Sequence, residues 1–205
     1  MKNKYFVIKG ILILSLVFCF FACSSNKRSN QFQIVFTASQ MSDNAISAYG
    51  NFLLEQIPEL EINGSAPLFT PIAMGEAMQN IDPMMAMGST MRLSALMAAG
   101  ELDMVIGTLE NVSAMAQGGS FLPLTDIFSD AELQALGDRL ISFDVVNVNE
   151  NNVRVPTGER TPALGFSITG NDQIRAIFGN QEIGVYIIAN TKNPELAKTV
   201  MRTFI

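Results

Sequence analysis

The chain has 205 residues, which is enough for one large domain or two small ones. It contains no histidine, and this excludes Ser-His-Asp and Cys-His catalysis as well as the usual zinc sites. Both cysteines, Cys19 and Cys23, lie near the N-terminus, so the chain after residue 23 can form neither a disulfide nor a thiolate metal site. The net charge is −6 and no basic stripe is visible, which argues against a nucleic-acid partner.

The first 22 residues have the composition of a secretory signal peptide. Three lysines among the first nine residues supply the positive region, and an apolar run interrupted only by Ser15 covers residues 11–22. This run is shorter than the roughly 20 apolar residues that a membrane-spanning helix needs. We therefore predict an exported protein from which residues 1–22 are removed.

Cys23 follows the small residue Ala22 and precedes a polar segment, residues 24–30. This arrangement resembles the lipobox of bacterial lipoproteins, whose cysteine is lipidated and becomes the mature N-terminus. The resemblance implies acyl chains such as palmitate on Cys23, a tether over residues 23–30, and anchoring to the outer face of the bacterial cell membrane or to its periplasmic side. The alternative is an ordinary cysteine beside a normal cleavage site.

Hydrophobic periodicity and turn signals divide residues 31–205 into alternating strands and helices. The predicted strands cover residues 31–39, 66–72, 102–106, 141–148, 163–168 and 182–189. The predicted helices cover residues 43–56, 89–99, 130–140, 172–178 and 195–204, with two shorter ones after residue 74 and before residue 118. Residues 149–159 are polar and predict a turn or an exposed hairpin. This order favours an α/β fold, with a mostly parallel sheet flanked by helices, in a single domain over residues 31–205.

The ends of these helices carry the expected signals. Ser42 or Asp43 is placed to cap the helix over residues 43–56, and Ser129 is placed to cap the helix that follows it. Gly100 closes the helix over residues 89–99, and Pro194 stands at the start of the last helix, where proline is favoured.

Polar side chains lie at the ends of two predicted strands, the one over residues 31–39 and the one over residues 102–106. If those strands are parallel neighbours, both loops lie at one edge of the sheet, where ligands of α/β proteins bind. Hydroxyl, amide and carboxylate groups there could hydrogen-bond a sugar or a peptide. The alternative is ordinary helix capping by the same residue types. The six candidate ligand-binding residues are Thr37, Ser39, Gln40, Thr108, Glu110 and Asn111.

Asp103 interrupts the apolar strand over residues 102–106. With no histidine and no second acid at a useful spacing, a catalytic role is not expected, and we predict a structural one. No Gly-x-Ser-x-Gly elbow is present either, so we predict that the protein is not an enzyme. Arg154 and Arg160 flank a loop that either holds an anionic ligand or is simply solvated.

Methionine is concentrated in the middle of the chain. The favoured interpretation is core packing, because methionine is a flexible core filler. A thioether site for Cu(I) and a surface that binds a protein partner are the alternatives. We predict no cofactor and no metal. The seven methionines are Met74, Met78, Met84, Met85, Met87, Met91 and Met97.

Four features together resemble bacterial extracellular solute-binding proteins that serve ABC transporters, especially the sugar-binding type. The first is the lipobox at Cys23, and the second is an opening strand with a polar end over residues 34–39. The third is a helix followed by Gly-Glu and then by Asp-x-Val, over residues 93–106. Leu-Pro-Leu-Thr comes after it at residues 122–125. The fourth is a strand followed by Asn-Pro-Glu-x-Ala over residues 187–198.

The resemblance implies one lobe of a periplasmic-binding-protein fold, capture of a small solute, and delivery of that solute to an ABC transporter permease. A sugar or oligosaccharide is the implied ligand class, although the chain has no tryptophan to form an aromatic platform. Family members usually have two lobes, and residues 129–181 are too few for a second one. We therefore expect either a single-lobe relative or a fragment. The alternative function is a single-lobe lipoprotein with a structural or protein-binding role and no small-molecule capture.

Overall fold

The computed structural model describes residues 31–150 and 153–205. The predicted signal peptide, the lipidated Cys23 and the tether lie outside these residues, so they remain predictions. None of the helices in the described part is both long enough and apolar enough to span a membrane.

The described residues form a six-stranded sheet, a separate two-stranded ribbon and seven α-helices, so the predicted α/β class is confirmed. The strands are β1 (Gln33–Ala38), β2 (Leu68–Ala73), β3 (Met104–Thr108), β4 (Leu140–Ile141), β5 (Asp144–Val148), β6 (Arg154–Arg160), β7 (Gly165–Ser167) and β8 (Ile183–Ile187). The helices are α1 (Asp43–Gln56), α2 (Glu76–Ile81), α3 (Pro83–Ala98), α4 (Leu109–Gln117), α5 (Asp130–Leu136), α6 (Asp172–Phe178) and α7 (Pro194–Arg202).

The sheet is mixed, with the strand order β2-β1-β3-β8-β7-β4. β1 pairs in parallel with both β2 and β3, whereas the β3–β8, β8–β7 and β7–β4 pairs are antiparallel. The predicted parallel arrangement therefore holds for one half of the sheet only. In this half, the carboxyl ends of β1, β2 and β3 meet at one edge of the sheet, here called the carboxyl edge.

Two hydrophobic clusters cover the two faces of the sheet. The larger includes Phe36, Tyr49 and Phe178, and the smaller includes Leu93 and Tyr186. All buried members of both clusters fall between residues 32 and 204. The clusters of the described residues are therefore contained in residues 32–204.

Several predicted boundaries are confirmed by the caps that form them. α1 begins after Ser42, whose hydroxyl oxygen accepts a hydrogen bond from the Ala45 amide at 3.3 Å. α5 begins after Ser129 in a reciprocal capping box with Glu132. Gly100 follows α3 with φ +62°, a conformation that glycine adopts without strain.

Two predicted elements differ from the structure by more than a shift of a few residues at their ends. α3 starts at Pro83 rather than at residue 89, because the Asp82 carboxylate caps it by accepting the Met85 amide at 3.0 Å. Proline is tolerated in this first turn, where its missing N–H has no helical partner. The strand predicted over residues 141–148 is split: β4 joins the main sheet, and β5 pairs with β6 in the ribbon.

The capping box of α5 makes stability depend on pH. The Glu132 carboxylate accepts hydrogen bonds from the Ser129 amide at 2.8 Å and from the Arg202 guanidinium at 2.7 Å. These bonds, with the Ser129 amide as the largest cause, lower the pKa of Glu132 from 4.5 to about 2. Because the folded pKa lies below the unfolded one, the stabilisation is complete above pH 4.5 and is lost as the pH falls towards 2.

We therefore expect Glu132→Gln to lower the melting temperature at pH 7 and to reduce its decline on acidification. Glutamine keeps a capping box possible but removes the charge that Arg202 pairs with. Melts followed by circular dichroism between pH 7 and about pH 2 test this. Glu55→Gln is the control, because Glu55 is exposed on α1 and forms no ion pair within the described residues. Parallel pH profiles for Glu132→Gln and the unsubstituted protein would contradict the prediction.

Candidate functional site

The structure brings the two predicted polar loops together at the carboxyl edge. Thr37 near the end of β1 lies beside Ile72 of β2 and Gly107 of β3 in the parallel register. Only glycine fits at position 107, because a Cβ there would lie 2.3 Å from the Thr37 Cγ2 atom. The tight packing of these strands places the loops that leave them side by side.

Thr37 and Asn111 are used inside the protein. Thr37 is fully buried, and Asn111 is 7% exposed. The Asn111 Nδ2 atom donates hydrogen bonds to the Thr37 hydroxyl at 3.2 Å and to the Met74 carbonyl at 3.1 Å. These bonds tie the ends of β1 and β2 to the first turn of α4. In this arrangement, both side chains position the loops of the edge rather than face solvent.

Glu110 acts as a cap. Its Oε1 atom accepts the Glu76 amide at 2.7 Å, which satisfies a free N–H at the start of α2. Gly75, just before α2, has φ +119°, and a Cβ there would lie 2.8 Å from the Asn111 Oδ1 atom. Only glycine therefore lets this loop approach α4 so closely. The geometry of Glu110 matches the capping alternative that the sequence left open.

Ser39, Gln40 and Thr108 have side chains that make no hydrogen bond to the described residues. Gln40 is exposed, and the other two are half-buried. Thr108 precedes α4 without capping it. Ser39 and Gln40 line an open cavity of about 560 Å³ at the carboxyl edge, here called the edge cleft. Its full lining is Ser39, Gln40, Met41, Asp43, Pro71, Ala73 and Met85.

Two members of this lining were missed by sequence reasoning. Asp43 was considered only as a cap for α1, although its position in the first turn also puts its carboxylate beside the end of β1. Met85 comes from α3, which is distant in sequence, and no local pattern links it to Ser39. Next to the cleft, the Gln181 amide donates to the Gln40 carbonyl at 3.4 Å and holds this loop against the end of α6.

Asp103 lies at the opposite edge of the sheet and is 4% exposed. Its Oδ2 atom accepts the Gln33 amide at 2.9 Å. Its Oδ1 atom accepts the Thr191 hydroxyl at 2.5 Å and the Asn193 Nδ2 atom at 3.1 Å. These contacts are all internal, which agrees with the predicted structural role: Asp103 joins β3 to β1 and to the segment that leads into α7.

The two arginines of the ribbon are solvent-exposed. Arg154 donates to the Gln117 side chain at 3.1 Å, and Arg160 lies 4.0 Å from the Asp144 carboxylate. β6, which carries both, is exposed along its whole length. Within residues 31–150 and 153–205, no group of three or more acidic side chains is placed to hold a metal ion.

The methionine segment differs from its favoured interpretation. Met74 and Met97 pack against the smaller hydrophobic cluster, as predicted. Core packing is wrong for four others, because α3 buries only Ala86 and Leu93 against the rest of the protein. The four exposed methionines are Met84 at 79%, Met85 at 53%, Met87 at 61% and Met91 at 62%.

The fold and the site together define an α/β protein with a mixed sheet and an open cleft at the carboxyl ends of its parallel strands. No protein-family model matches the chain, and searches of curated proteins and of solved structures found no match. Function must therefore be inferred from the chemistry of the site itself.

Proposed function

We propose that this protein is a membrane-anchored extracellular solute-binding protein, built as one periplasmic-binding-like lobe, which delivers a small solute to an ABC transporter permease without catalysis. The observation that carries the proposal is the edge cleft. It lies at the carboxyl ends of β1 and β2, and its volume of about 560 Å³ falls within the usual range for small-molecule sites. The loop after β1 and the end of β2, which pairs in parallel with β1, form its floor.

The chemistry of the cleft favours a neutral polyhydroxylated ligand. The Gln40 amide can both donate and accept hydrogen bonds, and the Ser39 hydroxyl can do the same. The Asp43 carboxylate accepts from hydroxyl groups and repels anions, while Met41 and Met85 offer apolar surface to the C–H face of a sugar ring. A sugar or oligosaccharide is therefore the ligand class that we propose.

The openness of the cleft sets an expectation for affinity. A ligand on this surface would keep one side in solvent, whereas high-affinity sites bury most of the ligand. We therefore expect weak binding by this chain alone. A second surface that closes over the cleft would strengthen it.

A thermal-shift screen of residues 24–205 against sugars, oligosaccharides, amino acids and peptides tests the proposal. A ligand at about 100 times its dissociation constant adds about 2.7 kcal/mol of stability. We expect one sugar class to raise the melting temperature, and Gln40→Ala to weaken its binding by about tenfold, since that corresponds to one lost hydrogen bond.

Gln79→Ala is the matched control, because Gln79 is an exposed glutamine on α2 that does not line the cleft. It should bind like the unsubstituted protein. The proposal fails if no compound raises the melting temperature, or if a compound that does so acts equally on Gln40→Ala.

A single-lobe lipoprotein that binds a protein partner is the second candidate function. The observation in its favour is the exposed apolar surface formed by Ile81 and the four exposed methionines. Soluble monomers rarely expose large contiguous apolar patches unless these are interaction sites. In this case no small molecule would shift the melting temperature.

A further inference from the structure

α3 presents an uncharged stripe on the side opposite its buried face. Successive residues of an α-helix are rotated by about 100°, so residues 84, 88, 91 and 95, with spacings of four, three and four, lie along one side of the helix. The stripe lies directly opposite Ala86 and Leu93, the two buried residues of α3. All of its members are exposed. We call these four residues, Met84, Gly88, Met91 and Ala95, the Met stripe.

The Met stripe alternates large and small side chains in a self-complementary order. If a second copy of α3 packs against it in the antiparallel direction, Met84 faces the partner's Ala95, and Gly88 faces the partner's Met91. The two-fold axis then repeats both contacts, as an isologous interface requires. Each large side chain meets a small one, which lets two helices interdigitate at close distance. In the same register, Met87 faces the aliphatic stem of the partner's Arg92.

Charge restricts where two copies of the protein can meet. The protein has a net charge of −6, so two copies repel each other over most of their surfaces. The Met stripe carries no charged residue, so like charges are not brought together there. An antiparallel pair also sets the positive N-terminal end of each helix beside the negative C-terminal end of the other.

We propose that the protein forms a two-fold symmetric homodimer through antiparallel packing of α3 along the Met stripe. α3 has 16 residues and is therefore about 24 Å long. With its side chains largely exposed, a pair of such helices would bury on the order of 1,000 Å², near the lower limit of specific interfaces. So small an area is typical of transient rather than obligate interfaces, and we therefore expect a reversible dimer, with a dissociation constant on the order of micromolar.

Sedimentation velocity on residues 24–205 without ligand, from about 1 to about 200 μM, measures the equilibrium. The decisive variant is Gly88→Met. It fills the space that would receive the partner's Met91, and we expect the dissociation constant to rise by at least about tenfold. The substitution should not unfold the monomer, because a Cβ at Gly88 meets no atom within 4 Å and methionine is a better helix former than glycine.

Gly88→Met with Met91→Ala exchanges the large and small positions, and we expect this pair of changes to restore the dimer. If the association were a non-specific apolar one, Gly88→Met alone would lower the dissociation constant, since it adds apolar surface. Val148→Glu is the control, because Val148 is 62% exposed on β5 and lies outside the Met stripe. This variant should have the same dissociation constant as the unsubstituted protein. Monomers throughout the concentration range, or a dimer that Gly88→Met leaves unchanged, would overturn the proposal. Neither result bears on solute binding at the edge cleft.

Discussion

Replacing Asp103 by alanine is expected to lower the free energy of unfolding by about 2–4 kcal/mol, because it removes a buried carboxylate that accepts three hydrogen bonds. The substitution leaves three donors without an acceptor: the buried Gln33 amide, and the half-buried Thr191 hydroxyl and Asn193 side-chain amide. Each unsatisfied donor costs about 1–3 kcal/mol, and the bonds also hold β1, β3 and the start of α7 together. Urea denaturation of residues 24–205 measures the change.

Two variants test whether the network is the cause. Asp103→Asn keeps the shape but replaces one acceptor oxygen by a donor, so it should cost less than alanine and still be clearly destabilising. Asp138→Ala removes an exposed acid and should change stability by no more than about 0.5 kcal/mol. A loss below about 1 kcal/mol for Asp103→Ala would show that these hydrogen bonds do not stabilise the fold.

Gly165→Ala is the second large effect that we expect, with a loss of at least about 1–3 kcal/mol from overpacking. A Cβ on Gly165 would lie 2.5 Å from the Tyr186 ring and 2.5 Å from the Val185 carbonyl oxygen. Tyr186 cannot move aside, because it is fully buried and stacks on Phe121 with ring centroids 4.8 Å apart. β7 would therefore have to separate from β8.

Gly170→Ala is the matched control for this prediction. A Cβ on Gly170 meets no atom within 4 Å, so the change should be close to neutral. Urea denaturation and hydrogen exchange of the β8 amides report the loss and its location. Equal stability of the two variants would mean that the sheet adjusts to the added methyl group.

Local signals in the sequence were sufficient for most of the secondary structure. Ser42 and Ser129 fix the starts of α1 and α5 because their caps involve only neighbouring residues. The bounds of α6 are as predicted, since the cap by Asn171 is equally local. Strand positions also followed from short apolar runs, although their ends shifted by a few residues.

Pairing between strands was beyond these signals. A buried strand such as β8 has the same apolar sequence pattern whether its neighbour is parallel or antiparallel. The antiparallel half of the sheet was therefore not predicted. The division between β4 and β5 is likewise decided by which distant strand each segment meets, β7 for one and β6 for the other.

The candidate site was predicted in part. The sequence placed the loops after β1 and β3 at one edge, because parallel strands that are neighbours end together. It could not separate Ser39 and Gln40, whose side chains remain free, from Asn111 and Glu110, whose bonds depend on atoms of Met74 and Glu76. The same residue types serve both purposes, and only their neighbours in space distinguish them.

The sequence by itself determined the α/β class, the order of the elements and the exclusion of histidine and thiolate chemistry, because composition and short-range periodicity encode these properties. The tertiary structure alone decided which side chains face solvent. The methionines of α3 show the difference: their apolar character predicts burial, but the helix lies at the surface and only Ala86 and Leu93 meet the core. Burial depends on what packs against a helix, and that is a property of the whole chain.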